Sequence, residues 1–390
     1  MKTPEVSEIF AKLPKEKLLE LSPDKQKVVR AILNCRTAVL GAHVRECNQC
    51  KFKEQSYNSC RNRHCPKCQG SVAAKWVDAR SGELLPVSYS HTVFTVPSEL
   101  RSLAYQNKKI FYELLFKTVA ETMHAVSKRF LKAEITFYSI LHTWNQKLDF
   151  HPHIHTAAPQ GGISSDGTRW VPSQKNFFLP VRALSKVFRA KMLQALKEAH
   201  PQFKFYGAQS SLSNCDQFDK LLKSCTKSNW VVYSKKPFGG PQQVTKYLSS
   251  YVHRIAISNH RILKVDDSTV TFRYRDSKNK NKKRPYKLSH SEFTRRFLLH
   301  ILPKGFTRIR HYGFLSNCNK ATNLALAREL IAKTLPNLNI KPFHHSCPKC
   351  KSGKMSILKY FTHSSSKYST FHQNFSPQTT QAALYCNKSM

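Results

Sequence analysis

His151-Pro152-His153-Ile154-His155 follows Asp149-Phe150 and runs into Gly161-Gly162. Histidine recurs at every second position. On a β-strand, residues i, i+2 and i+4 share one face. The spacing therefore predicts a strand with His153 and His155 side by side and Ile154 buried behind them. Two parallel imidazoles on a strand can hold a divalent cation. Upstream, Ser88 to Val96 alternates like a strand and stops at Pro97. Ser98 is an N-cap for a long helix to about Leu131, with Leu100, Leu103, Phe111, Leu114, Leu115 and Val119 on its apolar face. A second strand is expected from Glu134 to Trp144, and a turn over Asn145 to Leu148 leads into the histidine strand. Strand, long helix, then hairpin is the opening of a ferredoxin-like antiparallel sheet with helices on one face. The expected fold class is α+β, with the histidines on the second arm of the central hairpin.

The chain has 390 residues, enough for two or three domains, and 40% are hydrophobic. Lys+Arg number 64 against 23 Asp+Glu, a formal net charge of +41. That excess is spread along the chain and points to a polyanion, with nucleic acid the default partner. No stretch approaches the roughly 18 apolar residues of a membrane span. The N-terminus has no apolar signal core, so an intracellular protein with reduced cysteines is expected. Paired cysteines then read as metal ligands before disulfides.

Cys47-Asn48-Gln49-Cys50 and Cys65-Pro66-Lys67-Cys68 are separated by fourteen residues. Two such knuckles are expected to close one tetrahedral Zn²⁺ site on Cys47, Cys50, Cys65 and Cys68. Cys60, His64 and His43 lie in the same region as substitute ligands, part of a second site, or mere neighbours. Between the knuckles, Lys51, Lys53, Arg61 and Arg63 interleave with Phe52 and Tyr57, which suits phosphate contact and base stacking.

Further on, Pro180 to His200 reads as a helix and Trp230 to Tyr233 as a short strand. A helix starting near Gln242 places Tyr247 and Tyr251 at i and i+4, on one face. Tyrosines so spaced are more often core aromatics than nucleophiles. Residues 261–275 read as a hairpin. Lys278, Lys280, Lys282, Lys283, Arg284 and Lys287 form a cationic run, either a solvated loop or a phosphate contact. Cys347-Pro348-Lys349-Cys350 is a single knuckle that would need partners such as His344, His345, Cys318 or Cys386 to hold zinc. After Tyr360 the tail is rich in Ser, Thr and Gln and is expected to be disordered. Together, a His-x-His strand holding Mg²⁺ or Mn²⁺, a helix-borne tyrosine and a basic surface suit metal-assisted nucleophilic cleavage of a phosphodiester.

At these residues the chain resembles the HUH-type two-tyrosine transposases of the insertion-sequence-91 family. The resemblance covers roughly residues 25–350. It rests on the zinc module from Ser59 to Gly70, the strand His91 to Pro97, Leu141 to Trp144, the His153-Ile154-His155 core, and the segment Tyr247 to Arg254. It implies an HUH nuclease domain with an N-terminal helical and zinc-binding module. It implies Tyr247 and Tyr251 as nucleophiles, His153 and His155 as Mg²⁺ or Mn²⁺ ligands, and a 5′-phosphotyrosine intermediate. The implied process is rolling-circle-like transposition of single-stranded DNA at element ends, in the bacterial cytoplasm at the nucleoid. No motif identifies the third ligand; Gln243, one turn before Tyr247, and His142 are candidates. His151 falls outside the two-histidine core. Relatives often carry three glycines after the histidine strand, where this chain has Gln160 before Gly161-Gly162.

The expected division is a zinc-binding module over 1–85, a catalytic domain over 86–315, a helix and knuckle over 316–360, and a tail over 361–390. DNA contacts are expected from Arg61, Arg63, Lys282, Lys283 and Arg284. Rival readings are a plasmid replication initiator or relaxase of the same chemistry, a transposase with an acidic catalytic triad, for which no spaced acidic set stands out, and a non-catalytic zinc-dependent DNA-binding protein. The last would need both tyrosines packed in a core.

Overall fold

The computed structural model describes residues 3–174, 177–227, 230–238, 253–276, 279–316, 320–333, 349–350, 352–353 and 355–361. They fall into two compact units, one of Met1–Cys35 with Cys60–Phe343 and the other of Arg36–Ser59 with His344–Met390. No described helix is long and apolar enough to cross a membrane. The architecture is mixed α and β, and every strand pairing is antiparallel.

The larger unit is built on a five-stranded sheet in the order Ile309–Tyr312, Phe137–Trp144, Phe150–Pro159, Tyr89–Thr95, Val232–Phe238. The histidine strand is its middle member. Because side chains alternate, Phe94, Leu141 and Ile154 face one way, into a core with Phe111, Leu115 and Val119 of the helix Lys108–Phe130. Phe188 and Met192 of the helix Val181–Glu198 close the same core. Ile154 is fully buried there. The opposite face is not bare, as helices on one face alone would leave it. Tyr89, Tyr138, Ile140 and Ala157 pack there with Leu84, Trp170 and Leu330 of the helix Lys320–Ala332. His142, His153 and His155 lie on that same face.

Several boundaries differ from the sequence reading for local reasons. The long helix is broken at Asn107, whose side-chain amide donates to the Lys204 carbonyl at 2.9 Å while its oxygen accepts from the Lys204 N–H at 2.7 Å. Only Lys108–Phe130 continues as one helix. The strand expected from Glu134 begins at Phe137, because Ala133–Glu134 pairs instead with Gly161–Ser164. That pairing explains the glycines: a side chain at Gly162 would collide with the Glu134 carbonyl, and one at Gly161 (φ +145°) with the Trp170 indole. From Lys282 onward the cationic run is a strand and not a loop. Lys282–Ser289 is a third strand on the hairpin of Ile262–Val265 and Thr269–Asp276. At the N-terminus, Val28, Val29 and Ile32 of the helix Pro23–Asn34 are buried as their spacing predicts, against Phe10, Phe272 and Phe297.

In the smaller unit, the hairpin of Ala42–Cys47 and Lys53–Tyr57 gains a third strand, Met355–Phe361. Met355 lies opposite Cys47, and Phe361 opposite Ala42. This pairing joins the hairpin of the expected 1–85 module to a strand from the C-terminal segment. Residues 36–59 group with the C-terminal segment instead. Residues 362–390 of the expected tail lie outside the described set.

Candidate active site and cysteine clusters

His142, His153 and His155 form one cluster whose nitrogens lie within 4.8 Å of one another. Strand register builds it: His142 lies directly opposite His153, and His155 is two residues further along the same face. Ring centroids are 4.4 Å apart for His142–His155 and 4.8 Å for His153–His155. The Trp144 ring stacks on His142 at 4.7 Å. His153 donates from Nδ1 to the His151 carbonyl at 2.6 Å, which leaves its Nε2 lone pair for a metal. His155 Nδ1 and His91 Nε2 share a hydrogen bond at 2.8 Å. Burial, with the His151 and Arg254 charges, pushes the His153 imidazole down to about 3. Burial also holds His155 well below its ordinary value, assisted by His142, His153, His91 and Arg254. Both rings are therefore neutral at pH 7, the form that ligates a cation.

Of the two candidates for a third ligand, His142 sits in the cluster, whereas Gln243 lies outside the described residues, as do Tyr247 and Tyr251. The chain is described again from His253. The Arg254 carbonyl accepts from Arg308 Nη1 at 2.9 Å, and His253 meets Trp76 edge-on at 6.3 Å. Beside the start of the histidine strand, Arg101 Nη2 donates to His151 Nδ1 at 3.2 Å. There a groove of about 560 Å³ is lined by Arg101, Tyr105, Phe150, Tyr206, Gln209 and Arg295. Nothing in the sequence spacing marked this groove, because its walls come from four separate stretches.

The cysteines partition differently from the expected site. Cys65 and Cys68 group with Cys35 and Cys60, while Cys47 and Cys50 group with Cys350. The two N-terminal knuckles thus do not close one site together. Cys35 ends the helix Pro23–Asn34, where no motif flags it; Cys60 is one of the residues the sequence offers as a substitute ligand, and it takes that place. In the four-cysteine cluster, Cys68 Sγ is 3.5 Å from Cys35 Sγ and 3.6 Å from Cys60 Sγ. A tetrahedral Zn²⁺ with Zn–S bonds of about 2.3 Å separates its sulfurs by about 3.8 Å. The donor set therefore fits structural zinc. Two polar contacts hold the knuckle: Gln69 Nε2 donates to the Asn62 carbonyl, and the His64 N–H donates to Asn62 Oδ1. His64 is buried and is not in the cluster, and His43 Nδ1 is bonded to Asn58 Oδ1 at 2.8 Å.

Among the expected DNA contacts, Lys282, Lys283 and Arg284 are exposed on the strand Lys282–Ser289, and Arg61 is exposed. Arg63 is not a free surface cation. It is partly buried, and its Nη2 donates to the Phe306 carbonyl at 2.8 Å.

Residues 136–322 match the family model described as "Putative transposase", and residues 6–96 match "Transposase zinc-binding domain". The chain is 40% identical over 380 residues to "Putative transposase y4qJ" of Sinorhizobium fredii, covering 92% of this chain and 96% of that one. It is 25% identical over 296 residues to "Transposase for insertion sequence element IS801" of Pseudomonas savastanoi pv. phaseolicola, covering 75% and 70%.

Proposed function

The chain belongs to the insertion-sequence-91 family of transposases, and from its histidine cluster we infer that it cleaves and rejoins single-stranded DNA at insertion-sequence ends. The five-stranded sheet is read as the HUH nuclease sheet, with His142, His153 and His155 holding one divalent cation. When bound, that cation polarises the scissile phosphate. An all-imidazole donor set fits Mn²⁺ better than the harder Mg²⁺.

The nucleophile is Tyr247 or Tyr251. The phenolic oxygen attacks phosphorus, the P–O3′ bond breaks, and the 3′ oxygen leaves as a hydroxyl after taking up a proton. The enzyme is left as a 5′-phosphotyrosine. A DNA 3′-OH reverses the step, forming a new P–O3′ bond and releasing the tyrosine, so no nucleotide cofactor is consumed. The observation that supports this reading is the buried cluster of His142, His153 and His155, in which burial, with a smaller contribution from the Arg254 charge, keeps His153 and His155 neutral. Arg254 is three residues past Tyr251. The groove of Arg101, Tyr105, Tyr206 and Arg295 offers cations and aromatic faces to a single strand.

The test is incubation with Mn²⁺ and a single-stranded oligonucleotide from an element end, read as a denaturant-resistant protein–DNA adduct. Wild type should form it. Tyr247→Phe combined with Tyr251→Phe should not, and an adduct from that double variant would sink the nucleophile assignment. His153→Ala with His155→Ala should also lose it, whereas a non-catalytic DNA-binding protein would form none in any variant.

A further inference from the structure

Cys47, Cys50 and Cys350 share no ligand with the four-cysteine cluster and belong to a different unit. We propose that these three thiolates bind a second structural zinc ion, which fastens the C-terminal strand to the N-terminal hairpin.

The three sulfurs lie within 4.8 Å of one another, and Cys47 Sγ is 3.8 Å from Cys350 Sγ. That is the sulfur spacing of a zinc tetrahedron, and it is far longer than the about 2.05 Å of a disulfide. Both contributing turns are shaped to bring sulfur inward. After Cys50 the chain turns back through Lys51 in a left-handed conformation (φ +55°), and the Lys51 N–H donates to the Cys47 carbonyl at 3.2 Å. After Cys350 the Gly353 N–H donates to Cys350 Sγ at 3.3 Å. Position 353 has no room for a side chain, since a Cβ there would collide with Cys47 Sγ. Ser352 Oγ donates to Gln49 Oε1 at 2.8 Å, so the two turns are stitched directly to each other. The strand Met355–Phe361 then runs antiparallel to Ala42–Cys47. Soft thiolate donors select zinc over the hard cations.

Cys350 lies outside both matched stretches, 6–96 and 136–322, so the zinc-binding match does not account for it. Cys347 completes the C-x-x-C spacing in sequence and lies outside the described residues; the test does not depend on it.

Zinc in the purified full chain is counted by native mass spectrometry. Wild type should carry two ions. Cys47→Ser and Cys350→Ser should each carry one, and so should Cys60→Ser in the other cluster. Cys215→Ser, at an exposed cysteine outside both clusters, should keep two. One ion in wild type, or two retained in Cys350→Ser, overturns the proposal. Because a lost ligand can also unfold its surroundings, the unsubstituted chain is titrated with Co²⁺ after zinc removal. The thiolate-to-cobalt absorption should rise to two equivalents, and saturation at one equivalent again overturns it.

Discussion

The hydrogen bond between His91 Nε2 and His155 Nδ1 decides which face of His155 a cation can use. If His155 donates, its Nε2 lone pair is left for the metal; if His91 donates, the proton sits on that nitrogen and blocks it. Metal binding therefore requires His91 to act as the acceptor, a positioning role for a residue that holds no metal itself. His91→Phe should weaken Mn²⁺ binding roughly 10–100-fold by calorimetry, and His91→Gln, whose side-chain carbonyl still accepts, should recover part of it. Equal affinity in all three proteins would remove His91 from the site. A second residue gives a pH signature. Burial pushes His300 down to about 3, while its Nε2 is bonded to the Leu148 carbonyl and its Nδ1 to Thr143 Oγ1. Unfolded, it titrates near the ordinary histidine value of about 6.5. Between those limits the unfolded chain binds the extra proton. Stability is thus fully present above about 6.5 and falls as pH drops toward 3, by up to about 1.4 kcal/mol per pH unit. Denaturant midpoints of His300→Gln should change less between pH 7 and pH 5 than those of wild type. The alternation of His153 and His155 was legible in the sequence because a strand repeats every two residues. The partner of His155 was not, because His91 is 64 positions away.

Elements were legible where their periodicity is carried by their own residues. Strand alternation placed Ile154 behind the histidines, and helical spacing placed Val28, Val29 and Ile32 inward. Ile154→Ala should cost about 2–5 kcal/mol in urea unfolding, since the cavity would open in the middle strand against the Lys108–Phe130 helix. A loss below 0.5 kcal/mol would mean that this strand is not the packed centre of the sheet. Boundaries were less legible where a distant partner competes for the backbone. Asn107 interrupts a helix that its own sequence would continue, because the Lys204 backbone supplies a better partner for its amide. Lys282–Ser289 overlaps a cationic run that reads in sequence as a solvated loop or a phosphate contact, because its charges hide the strand pattern. Only pairing with Thr269–Asp276 reveals it; among the described residues it is an edge strand, and its exposed lysines and Pro285 suit an edge that must not join another sheet.

Over the whole molecule, the net charge of +41 makes DNA affinity strongly dependent on salt. Replacing Lys282, Lys283 and Arg284 together by Ala should flatten the slope of log K against log salt. The expected change is about 0.7 for each phosphate contact those residues make to a single strand. An unchanged slope would assign that strand no phosphate contact. The partition of the cysteines was the least legible feature. Each C-x-x-C looked complete beside its neighbour in sequence, yet Cys65 and Cys68 find Cys35 and Cys60, and Cys47 and Cys50 find Cys350. Ligand spacing shows that thiolates will converge but not from how far. The pairing of Ala42–Cys47 with Met355–Phe361 also sets a timetable for synthesis. The hairpin leaves the ribosome with one edge unpaired, and Cys47 and Cys350 are separated by 303 positions. At about 5–20 residues per second, that edge waits roughly 15–60 seconds for its partner. Throughout that interval the nascent chain displays an open strand and two thiols, so the smaller unit can close only after the strand Met355–Phe361 has been made.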